Sequence, residues 1–239
     1  MATLVRFRYR DRVKKGVLRA SGKGLVIQCP DYEQLIPLEE TEILPPCLPS
    51  KIIGIGPNYQ QEGKSPPKEP SFFFKPPSSV IGTGSPIKLP SVSNEVTFEP
   101  ELAVIIGRQA RNVRLEEAEN YIAGYTCAND VTAIDLLALN FNAAKSFDTF
   151  TPLGPWMVTS LNPRQIIRGI VNGKEVIRAN LADIIFPPAY LIAYLSQIMT
   201  LEPDDVILTG APARYSPVKP GDIVSVEIVG IGRLVNEIL

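Results

Sequence analysis

Glu99, Glu101 and Asp130 are the residues of this chain whose types and spacing most directly suggest chemistry. Side chains alternate faces along an extended chain, so in "FEPELAVIIG" (residues 98–107) Glu99 and Glu101 share one face while Phe98, Leu102, Val104 and Ile106 share the other. Two like charges beside apolar neighbours are tolerated where the pair faces water, shares a proton or binds a cation. Asp130 closes the apolar run "YIAGYTCAND", where a strand hands over to a loop. It reads either as a functional group at a strand end or as a turn residue bonding its own backbone. Together the three form an all-oxygen set of the kind that suits Mg²⁺ or Mn²⁺. On spacing alone, an E-x-E on a strand is usually a solvated face.

The chain has no histidine among its 239 residues. That removes Ser-His and Cys-His nucleophiles, His-ligated zinc and a His general base together, and leaves acid–base work to carboxylates, Lys, Tyr or water. Three cysteines, Cys29, Cys47 and Cys127, are odd in number and lack metal-type spacing, which fits a reducing compartment. Net charge is -1, from 24 basic and 25 acidic residues, and provides no field for nucleic acid or anionic lipid. The basic cluster Arg6 to Lys15 reads as the solvated face of a strand, with Arg6, Arg8 and Arg10 opposite Val5, Phe7 and Tyr9. No apolar run approaches the roughly 20 residues of a spanning helix. The opening residues lack the apolar block and cleavage site of a signal peptide, so the expectation is a cytoplasmic protein without membrane or nucleic-acid partners.

The elements that must position these groups are mostly strands. Residues 1–44 read as a small β unit, with alternation in "LVRFRYR", a turn at "SGKG" and a second strand "LVIQC". Pro45 to Ser50, "PPCLPS", reads as a stiff linker. Then come the strand "KIIGIG", a polar Pro-rich loop from Pro57 to Pro70 with the character of a lid, "SFFFKPP", and the glutamate strand. "RLEEAENYIAGY" reads as a short helix feeding a strand. "PPAYLIAYLSQIM" (187–199) is the best helix, with Leu191, Tyr194, Leu195 and Ile198 on one face. "DVILTG", "DIVSVEIVGIG" and "RLVNEI" complete a mainly β chain with a few short helices.

Longer strings carry a resemblance. "KIIGIGPNY", "FFFKPPSSVIGTGSPIKLP", "FEPELAVIIGRQARNV", "YIAGYTCANDVTAIDL", "KSFDTFTPLGPW", "LIAYLSQIMTLEPDDVILTGAP" and "KPGDIVSVEIVGIGRLVNEI" come in the order and spacing of the fumarylacetoacetate hydrolase family. The sequence resembles that family from Lys51 to Leu239. The resemblance implies a catalytic domain over 51–239 with a mixed β-sandwich roll, a homodimer, and Mg²⁺ or Mn²⁺ held by Glu99, Glu101 and Asp130. It further implies a small 2-oxo acid substrate, often a dicarboxylate, whose metal-bound enolate forms by proton loss or C–C cleavage. Lys145 of "KSFDTF" matches a family active-site lysine that stabilises negative charge or assists proton transfer; the alternative is a surface lysine. Thr209 and Gly210 of "ILTGAP" match positions near the substrate carboxylate, with a strand-end cap as the alternative.

Three departures stand out. Many hydrolytic and decarboxylating members carry "NYxxH" in the lid, with a Glu three residues later; here "NYQQEGKS" puts Glu62 at the His position and Ser65 at the Glu position. Where the family commonly reads "VSARDxQ", this chain reads "VTAIDLL", so a substrate-holding Arg and Gln become Ile134 and Leu137. The common "TGTP" is "TGAP", leaving Ala211. The expectation is therefore an intact metal site in an altered substrate shell. Three readings follow. One is a C–C hydrolase or decarboxylase with Glu62, or water on the metal, as base. The second is an isomerase or keto–enol tautomerase, and the third a metal-binding relative without catalysis. Glu62 is a base if a closed lid buries it, and a surface charge otherwise. The β unit of residues 1–44 either completes a dimer or covers the sandwich.

Overall fold

Alternating apolar and basic residues near the N-terminus do form a strand, β1 (Thr3–Tyr9), which buries Val5 and Phe7 and leaves Arg8 exposed. The structure is a computed structural model that describes residues 2–22, 24–61, 63, 65–215 and 217–239. Arg10 and Asp11, both at positive φ (47° and 61°), make the tight turn into antiparallel β2 (Arg12–Ser21). Three short strands follow: β3 (Gly24–Gln28), β4 (Ile36–Pro37) and β5 (Glu42–Leu44). The segment 45–50 is not a free spacer. Cys47 is 1% exposed and packs with Ile52, Leu153 and Val206.

The centre of the molecule is built from β6 (Ile52–Ile55), β7 (Phe72–Lys75), β8 (Val80–Ile81), β9 (Val96–Thr97) and β10 (Pro100–Ile106). A 3₁₀ turn over Leu115–Tyr121 stands where a short helix is expected, and it feeds β11 (Ile122–Asn129). β12 (Thr132–Ala133) pairs with β9, and helix α1 (Phe141–Lys145) leads to β13 (Thr151–Val158). At five residues α1 is too short to show a helical period in the sequence; the Asn140 side chain caps it by accepting from the Ala143 amide. The C-terminal half adds β14 (Ile166–Val171), β15 (Lys174–Asn180), helix α2 (Pro188–Ile198), β16 (Val206–Leu208), β17 (Ile223–Ile228) and β18 (Gly232–Glu237).

One mixed sheet runs β4-β3-β2-β1-β13-β11-β10-β16-β6-β7, and a four-stranded sheet β15-β14-β17-β18 packs on it. Phe98, Leu102, Cys127 and Val158 meet Ile167, Val224, Val226 and Leu234 between the two. The expected mainly β sandwich is what the chain adopts. β10 lies inside the sheet and is buried along its whole length, so its apolar residues face packed layers on both sides. Val104 and Ile106 pack beneath α2, and Ala103 and Ile105 face Ile52 and Leu153.

One detail of α2 differs from its sequence pattern. Leu191 and Leu195 are buried as expected, but Ile192 and Ser196 complete the stripe and Ile198 is 50% exposed. The buried Ser196 hydroxyl accepts from the Val113 amide (3.0 Å) and donates to the Ala193 carbonyl (3.1 Å), while Tyr194 stacks on Tyr190. That polar anchor rotates the contact face away from Ile198. Among the described residues, no helix is long and apolar enough to cross a membrane.

Candidate active site

Antiparallel pairing brings the three carboxylates together. β10 and β11 pair Pro100 with Asn129 and Glu101 with Ala128, which sets Glu99 beside Asp130 at the strand ends. Two bonds lock the junction: the Asp130 amide donates to the Glu99 carbonyl, and the Glu99 amide donates to Asn129 Oδ1, both at 3.0 Å. One oxygen from each of Glu99, Glu101 and Asp130 lies within 4.8 Å of the others, and none of these residues is more than 5% exposed.

Each carboxylate is held in place. Thr97 and Thr132 hydroxyls donate to Glu99 Oε1 at 3.1 Å each. The Gly210 amide donates to Glu101 Oε2 at 2.7 Å. Lys75 donates to Asp130 Oδ1 and Lys145 to Asp130 Oδ2, so Asp130 is bracketed by two ammonium groups. Lys75 also donates to the Val131 carbonyl at 3.0 Å, and Lys145 lies 3.9 Å from Glu99 Oε1. The Arg214 Nε is 3.6 Å from the same oxygen.

These neighbours divide the titration behaviour. Burial, reinforced by Asp130 and Glu99, pushes the Glu101 carboxyl well above the ordinary glutamate range. Burial also acts on Asp130, but Lys145 and Lys75 outweigh it and hold its carboxyl low. Lys75 is fully enclosed, and burial lowers its ammonium pKa despite Asp130. For Lys145 burial is overcome by Asp130 and Glu99, and its pKa is raised. The site thus concentrates three buried acidic groups, one of which resists ionising on its own. An all-oxygen donor set of this kind fits a hard divalent cation such as Mg²⁺ or Mn²⁺, whose charge would favour the ionised form of Glu101.

The carboxylates face a cavity of about 610 Å³. Ile55, Phe73, Leu137 and Phe141 make an apolar wall, Ala211 to Arg214 line one side, and Lys145 reaches in beside Asp130. Phe73 stands edge-on to Phe141, and the Lys145 ammonium lies 4.8 Å from its ring centre. A larger cleft of about 750 Å³ lies among the N-terminal strands, but among the described residues it holds no such carboxylate cluster.

The residues singled out from sequence fall into distinct positions. Glu99, Glu101, Asp130 and Lys145 converge. Gly210 contributes its amide to Glu101 at a φ of +93°, where a Cβ would come within 2.9 Å of the Ile55 carbonyl. Thr209, expected beside a substrate carboxylate, is instead fully buried, donates its hydroxyl to the Leu102 carbonyl (3.0 Å) and is not among the cavity-lining residues. Leu137 and Ala211 line the cavity whereas Ile134 is not part of that lining. Ser65 is exposed and borders a smaller cavity with Tyr59. Glu62 lies outside the described residues.

Sequence reasoning passed over Lys75, Arg214, Thr97 and Thr132. Lys75 did carry a signal, as the single charge in "SFFFKPP", an aromatic strand. Thr97 was within reach of the same alternation that pairs Glu99 with Glu101, since it lies two residues before Glu99, whereas Thr132 and Arg214 have ordinary surroundings in the sequence and only folding places them against Glu99.

A family model described as fumarylacetoacetate (FAA) hydrolase C-terminal matches residues 51–239. The mitochondrial oxaloacetate tautomerase of Rattus norvegicus is 37% identical, covering 99% of this chain and 80% of its own. Among solved structures, the 5-carboxymethyl-2-hydroxymuconate delta-isomerase of Mycobacterium smegmatis superposes with a TM-score of 0.93 at 36% identity, covering 99% of this chain and 98% of its own. The maleylpyruvate hydrolase of Sphingobium sp. SYK-6, solved with manganese (II) ion and pyruvate, has a TM-score of 0.81 at 28% identity, covering 99% of this chain and 98% of its own.

Proposed function

Because the chain belongs to the fumarylacetoacetate hydrolase family of enzymes, we propose that it is a Mg²⁺- or Mn²⁺-dependent enzyme acting on a small 2-oxo acid by way of an enolate. The observation that carries this reading is the convergence of Glu99, Glu101 and Asp130 on the floor of a cavity that also receives Lys145. A divalent cation bound there would polarise the carboxylate and ketone oxygens of a 2-oxo acid.

The chain's own residues supply the rest. Lys145, with its charge sustained by Asp130 and Glu99, is placed to stabilise negative charge developing on the substrate or to move a proton. Lys75 holds Asp130 from behind, and its fully buried position makes it a support for the site. The apolar wall of Ile55, Phe73, Leu137 and Phe141 takes up the substrate chain and restricts water.

With a cation held by the carboxylate floor, Lys145 would supply the proton handling that isomerisation or keto–enol tautomerisation needs without an activated water, and two of the relatives described above bear those names. C–C hydrolysis or decarboxylation of the same enolate-forming substrates is the second reading. It is supported by the maleylpyruvate hydrolase likeness, with Glu62 as the candidate base.

The test follows enol absorbance for oxaloacetate and a few acylpyruvates with Mg²⁺ or Mn²⁺, and again with excess chelator. Metal-dependent loss is expected, and product analysis then divides tautomerisation from cleavage. Loss that persists unchanged in chelator, or no loss with any substrate, would overturn the proposal.

A further inference from the structure

The three carboxylates form the floor of the cavity, whereas Arg214 stands at its mouth with half of its side chain in solvent (50%). Its position is set by the backbone. Tyr215 and Phe98 exchange two main-chain hydrogen bonds, of 2.8 and 2.9 Å, which hold Arg214 across from Glu99. Among the described residues, the one ion pair of Arg214 runs through Nε to Glu99 Oε1 at 3.6 Å. The terminal nitrogens of the guanidinium are not engaged in that pair, and a guanidinium edge is the geometry that grips a carboxylate with two parallel bonds.

The other described cation lining the cavity is already committed: Lys145 donates to Asp130 and lies near Glu99. A ligand anchored at the floor by its 2-oxo acid end would run along Ile55, Phe73, Leu137 and Phe141 and emerge beside Arg214. We propose that Arg214 is a specificity-determining residue that receives the second carboxylate of a short 2-oxo dicarboxylate. The proposal rests on the functional reading above and deepens it. The apolar wall accommodates the methylenes between the two acid groups, and the closeness of Arg214 to Glu99 keeps the span short.

The test is calorimetric binding to Mn²⁺-saturated protein, comparing 2-oxoglutarate with 2-oxopentanoate, which has the same carbon count and no second carboxylate. Wild type should prefer the dicarboxylate by about tenfold or more, as a charge-assisted bidentate pair does. Arg214→Met should erase the preference while leaving 2-oxopentanoate binding within about twofold, and Arg214→Lys should restore part of it as a point charge does. Equal weakening of both ligands in Arg214→Met would overturn the proposal, because Arg214 would then act only through Glu99. Unchanged discrimination would overturn it as well. Failure of the underlying metal reading shows itself separately, as absent Mn²⁺ binding by wild type in the same calorimeter.

Discussion

Asp130 and Glu101 are both buried carboxylates, yet their neighbours give them opposite roles in the metal-free protein. Asp130 is the carboxylate paired with both Lys75 and Lys145, so Asp130→Asn would leave the enclosed Lys75 ammonium without its paired carboxylate and Lys145 with Glu99 alone. We expect it to cost roughly 3–5 kcal/mol in chemical denaturation. Glu101 sits among like charges, so Glu101→Gln should match or exceed the wild type in metal-free stability while abolishing Mn²⁺ binding in calorimetry. The pH dependence has a definite sign. A carboxyl whose folded pKa lies above its ordinary 4.5 binds more protons folded than unfolded between those values. Metal-free stability should therefore fall as pH rises from about 4.5 through the raised value, and Glu101→Gln should flatten that slope. Asp130 contributes no slope there, since its low folded pKa keeps its stabilisation in place until pH drops below 3.8. A metal-free profile without the Glu101-dependent slope would contradict this account.

At the scale of elements, the cavity depends on how closely β7 crosses β6. Gly54 pairs with Phe73 in register, and a Cβ at Gly54 would lie 2.2 Å from the Phe73 ring. That ring is part of the cavity wall and contacts both Phe141 of α1 and the Lys145 ammonium. Gly54→Ala should cost about 1–3 kcal/mol through overpacking. It should also weaken binding of a 2-oxo acid to the Mn²⁺ form, because the displaced ring pushes on α1 and on Lys145. Normal ligand affinity in a destabilised Gly54→Ala protein would show that the ring moves without disturbing the site. The glycine is thus required by a close approach, since its own φ is unexceptional.

At the scale of the whole molecule, the N-terminal strands are continuous with the main sheet. β1 pairs with β13 at Thr3–Val158 and Leu4–Met157, and Trp156 packs against both the N-terminal cluster around Phe7 and the sandwich core. The family match begins at residue 51, on the far side of the packed segment that contains Cys47. Deleting residues 1–44 should lower the thermal midpoint and shift the emission of Trp156, the chain's one tryptophan, to the red. An unchanged midpoint with unshifted emission would show that residues 51–239 fold unaided. The cover these strands place on Trp156 favours the reading in which the N-terminal unit closes the sandwich.

The sequence by itself determined the mainly β class, the strands β6, β10, β11 and β16 around the site, the extent of α2, and the pairing of Glu99 with Glu101, because alternation, helical period and Gly or Pro punctuation are local properties. Spacing alone left the glutamates open to several readings, and the family strings were needed to choose among them. Only the tertiary structure decided which groups surround them. Lys75 reaches Asp130 across 55 positions and Arg214 reaches Glu99 across more than a hundred, separations at which no local pattern records a partner. The same limit explains the rotated face of α2, set by the Ser196 bond to Val113 83 residues away, and the enclosed position of Thr209. Burial and charge pairing arise when distant strands are brought into register, and at this site they separate the carboxylate that stays ionised from the one that resists it.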